Sequence, residues 1–243
     1  MHAPGSNDTV KQAINLLCRW NHHHELIVDG EDRYSGSQLN HESRCVAQAL
    51  LDRGIVKGDT VALVGTASCR FYAAYLAVQK LGGIACNIHI RESSEFIQQT
   101  LVMLSTKAII CTAYLLNSTV QAVALAGRDI AVITLDNVSS PAEHTAYSDI
   151  LEYFPAIEPH ADISPGDAVV IVPQNVSLDD EDPCNIIYNS GATGLPKGIR
   201  YFHRRRNRAM YKLALAHRYH SREISVFPIV LYSNIACTSF FAP

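Results

Sequence analysis

Apolar positions along the chain alternate between two periods. Residues 39, 46, 47 and 50 are Leu39, Val46, Ala47 and Leu50, which share one helical face. The tetrad Ser35-Gly-Ser-Gln38 in front of them has the form of a capping box, and Gly54 behind them suits a residue just past a helix C-terminus. Lys57-Gly58-Asp59 is turn chemistry. Residues 60–65 (TVALVG) then form a short run rich in β-branched side chains, as expected of a strand buried on both faces. The pattern repeats: helix over 69–81 stopped by Gly82-Gly83, strand over 84–88, helix over 92–106, strand over 108–111, helix over 117–126, strand over 129–134. Short strands separated by longer helices need crossover connections. The expected fold class is therefore α/β, a doubly wound parallel sheet with flanking helices on both faces.

Periodicity weakens over 137–182, where Pro141, Pro155, Pro159, Pro165 and the acidic run Asp179-Asp180-Glu181-Asp182 interrupt it. A strand over 168–172 is the one element expected there. The expected organisation is a parallel α/β subdomain over 1–136, a connector over 137–182, and the start of a second α/β subdomain over 183–243. Two stretches carry little or no charge, 108–127 and 225–243. Asn117, Ser118, Thr119 and Gln121 break the first and Pro228, Ser233, Asn234, Thr238 and Ser239 the second, so both read as protein interior rather than bilayer spans.

Composition narrows the function classes. With 20 Lys and Arg against 23 Asp and Glu the formal net charge is −3, so no global positive field draws the molecule to nucleic acid, and nucleic acid is not an expected partner. Any polyanion contact must be local. The seven cysteines contain no C-x-x-C pair and mostly sit in apolar runs, which fits a reducing, intracellular compartment and neither a disulfide scaffold nor a structural zinc. The N-terminal residues lack the basic and apolar regions of a signal peptide, and the expected location is cytoplasmic or peripheral on an intracellular membrane. His22-His-His24 is read as solvated surface rather than a metal site, because three adjacent rings point in different directions on any regular element. Trp20, Tyr72 and Tyr75 are read as packing residues.

Chemistry concentrates in one loop. The strand signal over 185–188 runs into Asn189-Ser-Gly-Ala-Thr-Gly-Leu-Pro-Lys-Gly198. Gly191 and Gly194 allow backbone N–H groups to approach an anion, Ser190 and Thr193 add hydroxyl donors, and Lys197 adds a compact positive charge. Pro196 restricts the loop just before the lysine and so reduces the entropy lost on ordering. The spacing cannot be laid on a Walker A loop, which disfavours a P-loop NTPase. The five arginines from Arg200 to Arg208 are a second candidate for anion contact, with phosphates or anionic lipid headgroups. Arg200, Arg204 and Arg208 are spaced to share one helical face, and a solvated helix start is the competing reading.

Tyr188-Asn-Ser-Gly-Ala-Thr-Gly-Leu-Pro-Lys-Gly198 resembles the Tyr-Thr-Ser-Gly-Thr-Thr-Gly-Leu-Pro-Lys-Gly signature of the adenylate-forming enzymes, which include acyl-CoA synthetases, luciferases and peptide-synthetase adenylation domains. The likeness continues upstream in Gly54-Ile-Val-Lys-Gly-Asp-Thr-Val-Ala-Leu63 and Ala77-Val-Gln-Lys-Leu-Gly-Gly83, and covers the chain from about Arg33. Asn87-Ile-His-Ile-Arg91 and His203-Arg-Arg-Arg206 look most like the fatty-acid transport protein and very-long-chain acyl-CoA synthetase branch.

The resemblance implies the truncated N-terminal domain of an adenylate-forming enzyme and a ligase reaction in two halves. A fatty or other hydrophobic carboxylic acid attacks the α-phosphorus of ATP with Mg2+, giving an acyl-adenylate, and the thiol of coenzyme A then displaces AMP. It assigns the ATP phosphates to Ser190, Gly191, Thr193, Gly194 and Lys197. Tyr232 and Ser233 fall at the family's substrate tunnel, with Ser233 where a histidine is usual. Asn189 and Ala192 stand where the signature has threonines, which implies weaker ATP binding. It also implies that the family's magnesium-binding acid, ribose-binding aspartate, adenine pocket and C-terminal catalytic lysine fall outside these 243 residues. The alternatives are a non-catalytic nucleotide- or acyl-binding relative and a fragment of an amino-acid adenylation domain. Peripheral membrane contact through Arg200 to Arg208 is a further expectation.

Overall fold

A computed structural model describes residues 9–136, 144–152, 176–189, 197–219, 224, 226 and 232–240. The first helix, α1 (Val10–Trp20), starts at a capping box in which the Thr9 hydroxyl accepts from the Gln12 N–H and the Gln12 side chain accepts from the Thr9 N–H. Val10, Ile14 and Cys18 form its buried stripe. Trp20 lies outside that stripe and is 73% exposed, which corrects its reading as a packing residue. An antiparallel hairpin, β1 (Glu25–Asp29) with β2 (Asp32–Ser35), leads into α2 (Gly36–Asp52), whose N-terminus carries the expected Ser35/Gln38 capping box. Gly54 follows the C-cap with φ of 74°, the left-handed conformation a helix stop requires.

The remaining elements wind around one six-stranded sheet. In chain order they are β3 (Thr60–Val64), α3 (Cys69–Leu81), β4 (Ile84–Ile88), α4 (Ser94–Met103), β5 (Ala108–Cys111), α5 (Leu116–Ala126), β6 (Ala131–Thr134), α6 (Tyr147–Glu152), β7 (Pro183–Asn189), β8 (Lys197–Phe202), α7 (His203–His217) and α8 (Asn234–Phe240). The strand order is β6-β5-β3-β4-β7-β8, with β8 alone antiparallel. Alternate strand residues face opposite ways. Val61, Leu63, Ile110 and Ile133 pack against α1, α2 and α3, while Ala62, Val64, Ile109 and Val132 pack against α4 and α5. Helices on both faces make this a doubly wound α/β sheet, the expected class. Residues 183–202, assigned in the sequence to the start of a second subdomain, extend this same sheet. The strand anticipated over 168–172 lies outside the described residues.

The uncharged stretch 108–127 resolves into β5, a short 3-10 turn and α5. No helix among the described residues is long and apolar enough to cross a membrane. All seven cysteines are buried thiols, none of them in a disulfide. His22, His23 and His24 join no metal-binding group among the described residues.

Two buried polar contacts fix the helices onto the sheet. The Gln79 side-chain amide of α3 donates to the Cys184 carbonyl of β7 at 2.9 Å. Nδ1 of the fully buried His203 accepts from the Val10 N–H at 3.2 Å, tying α7 to α1. Burial pushes the His203 pKa down to about 4, so the ring is neutral in the native state. Below its ordinary pKa of 6.5 the unfolded chain takes up a proton that the folded chain refuses, and this stability is lost as pH falls from about 6.5 toward 4. On going from about pH 7 to pH 5 we expect a loss of about 2 kcal/mol from this group. Urea unfolding at the two pH values checks it. His203→Asn, whose carbonyl can take over the Val10 contact, should show a correspondingly smaller pH dependence.

Candidate active site

The parallel strands β4 and β7 are neighbours, with Asn87 beside Ile187 in register, so their carboxyl ends open on the same edge of the sheet. Ligands in open α/β sheets sit outside this edge. At the end of β7 the backbone of Asn189 pairs with Lys197 of the antiparallel β8. Ser190, Gly191, Thr193 and Gly194 lie outside the described residues. Lys197 is the first residue of β8 and is exposed. No carboxylate among the described residues pairs with its ammonium.

The β7–β8 pair is held from below. The Tyr188 ring meets Phe96 of α4 edge-on, with centroids 5.6 Å apart. Its position leaves little room opposite, since a Cβ on Gly198 would stand 3.3 Å from Ile186 Cγ2 and 3.4 Å from Tyr188 Cζ. Glycine at 198 thus lets β8 lie close on β7.

At β4 the strand runs into His89, whose ring meets Tyr232 edge-on at 4.3 Å. Tyr232 is thereby brought to the carboxyl end of β4, on the same edge of the sheet as the end of β7. Ser233 is next to it, but its hydroxyl accepts from the Ala236 N–H at 3.1 Å and so caps α8. The tunnel candidates and Lys197 share one edge of the sheet.

The basic segment divides differently from its sequence spacing. Arg200 lies on β8, so it does not share a helical face with Arg204 and Arg208, because strand pairing with β7 carries β8 through to Phe202 and delays the helix to His203. Arg206 is 1% exposed and corrects the picture of a wholly solvated run. One nitrogen of its guanidinium donates to Asn234 Oδ1 and Thr238 Oγ1, both at 3.0 Å, and another to Asn185 Oδ1 at 3.1 Å. Its plane lies 4.4 Å from the Tyr201 ring centroid. This arginine fastens α7 and α8 to β7. Sequence reading missed it. The available signal was the buried stripe His203, Arg206, Asn207 and Met210 at helical spacing.

The thiols near this point are not nucleophiles. Burial pushes Cys184 up to about 12 and Cys237 up to about 11, despite the neighbouring Arg206 charge. Among the described residues no cluster of His, Cys, Asp and Glu could hold a metal ion, so these residues offer no protein cage for magnesium.

The chain is 30% identical over 174 residues to 4-coumarate--CoA ligase 2 of Petroselinum crispum, covering 71% of this chain and 28% of that protein. It is 25% identical over 199 residues to a medium/long-chain-fatty-acid--CoA/3-oxocholest-4-en-26-oate--CoA ligase of Mycobacterium marinum, covering 81% of this chain and 32% of that protein. The chain thus spans about a third or less of these relatives' lengths. The luciferase-like enzyme of the mealworm Zophobas morio superposes with a TM-score of 0.76 at 20% identity, over 100% of this chain and 53% of that one, which identifies the fold as that of the N-terminal domain of adenylate-forming enzymes. The AMP-binding enzyme family model matches residues 18–242, and the chain belongs to the AMP-binding enzyme family.

Proposed function

We propose that this chain supplies the nucleotide-phosphate side of an ATP-dependent, AMP-forming acyl-CoA ligase acting on a fatty or other hydrophobic carboxylic acid, of the fatty-acid transport and very-long-chain branch. The observation that carries this reading is the exposed Lys197, which pairs with no carboxylate among the described residues and stands opposite Asn189 at the carboxyl end of β7. In this reading the 190–196 turn and Lys197 hold the β- and γ-phosphates. The acid enters past Tyr232 and His89, and its carboxylate oxygen attacks the α-phosphorus while pyrophosphate leaves. The coenzyme A thiol then takes the acyl group and AMP departs. Magnesium would neutralise phosphate charge during the first half. The chain's own contribution is orientation and charge neutralisation.

Lys197→Ala tests the reading. Losing one charge-assisted contact to phosphate costs about 1.5–3 kcal/mol, so calorimetric ATP affinity should fall roughly ten- to hundredfold with an unchanged melting temperature. Unchanged affinity would remove the basis for the ligase. Pyrophosphate exchange by the 243-residue chain, with a panel of fatty, aromatic and amino acids, separates the substrate classes. The capping of α8 by Ser233 favours one second reading, a relative that binds nucleotide without turnover, because that hydroxyl is already engaged. ATP binding with no exchange for any acid would select it.

A further inference from the structure

The turn that follows β4 closes around His89. Its carbonyl accepts from the Glu92 N–H at 3.1 Å, and its ring Nδ1 accepts from the Arg91 N–H at 3.0 Å. Ser93 then caps α4 by accepting from the Phe96 N–H at 3.2 Å, so regular structure fixes the backbone on both sides of the turn. An imidazole nitrogen that accepts a hydrogen bond carries no proton. The neutral ring of His89 therefore holds its proton on Nε2. That nitrogen donates to no group among the described residues, and no carboxylate among them pairs with the ring.

The other contact of the ring is Tyr232, edge-on with centroids 4.3 Å apart. Tyr232 lies just before α8, and α8 is tied to the sheet from within. The Asn87 side-chain amide of β4 donates to Cys237 Sγ at 3.7 Å, and Arg206 donates to Asn234 Oδ1 and Thr238 Oγ1. Both rings thus stand on anchored elements at the carboxyl end of β4, and both are half-buried. The Arg91 hydrogen bond and the Tyr232 contact restrict the torsions of the His89 ring, so little freedom remains to be lost when a ligand arrives.

We infer that His89 orients the substrate acid: its Nε2–H donates to one oxygen of the carboxylate, while the Tyr232 ring lies along the acid's carbon skeleton. The inference rests on the acyl-CoA ligase reading and adds to it the group that holds the reacting end of the acid. A carboxylate suits this point better than a phosphate, because His89 offers one neutral donor beside an aromatic ring, whereas Lys197 brings a full charge at the end of β7. Holding one oxygen leaves the other free to attack the α-phosphorus.

Calorimetric titration of the 243-residue chain with octanoate, cinnamate and phenylalanine tests this without requiring turnover. Three substitutions separate the functions of the ring. H89F keeps an aromatic ring against Tyr232 and removes both nitrogens. H89N keeps an acceptor for the Arg91 N–H and removes the outer donor, and H89Q extends an amide nitrogen to the place of Nε2. For the acid that the parent binds most tightly, H89F and H89N should weaken binding roughly tenfold or more, and H89Q should stay within about threefold. A ring that only packs would give the reverse order, with H89F nearest the parent. Melting temperatures report whether the variants are folded. In the parent itself, the nitrogen-15 resonance of His89 Nε2, identified by its absence from H89Q, should move on saturation with that acid. Parent-like acid affinity in H89F, H89Q as weak as H89F, an unmoved Nε2 resonance, or no acid bound by the parent overturns the inference. The ligase reading fails on a different measurement, an ATP affinity that Lys197→Ala leaves unchanged.

Discussion

Arg206→Ala should destabilise the chain by about 3–4 kcal/mol, read as a lower urea midpoint. Two effects add. Truncating a side chain buried to 1% leaves a cavity beneath Tyr201, and large-to-small core changes cost about 2–5 kcal/mol. The fully buried Asn185 also loses its charged donor to Oδ1, keeping only the weaker Cys184 thiol there. A third effect opposes them. The guanidinium is buried against neutral acceptors, with no carboxylate among the described residues paired to it, so its removal recovers part of a desolvation cost. Arg206→Met separates the contributions, because it refills most of the volume and removes the charge. We expect it to lose only about 1 kcal/mol. An alanine variant as stable as the parent would show that the α7–α8–β7 fastening contributes nothing.

The case of Arg206 shows where local sequence stops being informative. Helix α3 and strands β4 and β5 were legible to the residue, because each is closed by local chemistry: Ser68 caps α3, Gly82 ends it at φ of 71°, and short apolar runs follow. The Ser35 capping box was legible for the same reason. The α1 helix carried an equivalent signal in Thr9, Gln12 and the Val10-Ile14-Cys18 stripe, which sequence reading passed over. The β8–α7 junction was not local. Its position follows from β8 pairing back onto β7, with Phe202 opposite Pro183, and this moves Arg200 off the helix. A run of arginines reads as solvent-facing until the face of the helix is known, and only packing reveals which one turns inward. The placement of Tyr232 at the carboxyl end of β4, next to β7, was not local either, since it required the β4–β7 pairing and the His89 contact.

Gly36→Ala should cost about 3 kcal/mol for a purely steric reason. Gly36 is the first residue of α2 and is buried, and its N–H donates to the Asn21 carbonyl at 3.0 Å and the His24 carbonyl at 3.3 Å. The neighbouring Ser37 N–H donates to the His22 carbonyl at 3.0 Å. The end of α1 is thus pressed directly onto the start of α2. A Cβ at residue 36 would stand 2.5 Å from the Cys18 carbonyl oxygen and meet the Asn21 carbonyl as well. Both are backbone atoms that no rotamer change can withdraw, so α1 would have to move off α2, at the upper end of overpacking costs. Gly127 provides the contrast. Its φ is 61° and nothing lies within 4 Å of an added Cβ, so Gly127→Ala carries only the left-handed backbone penalty of about 1 kcal/mol. Urea midpoints at constant m-value should therefore rank parent, Gly127→Ala, Gly36→Ala in falling order. Equal losses in the two variants would mean that the α1–α2 contact yields, and that the close approach of the two helices at Gly36 is not a constraint on this fold.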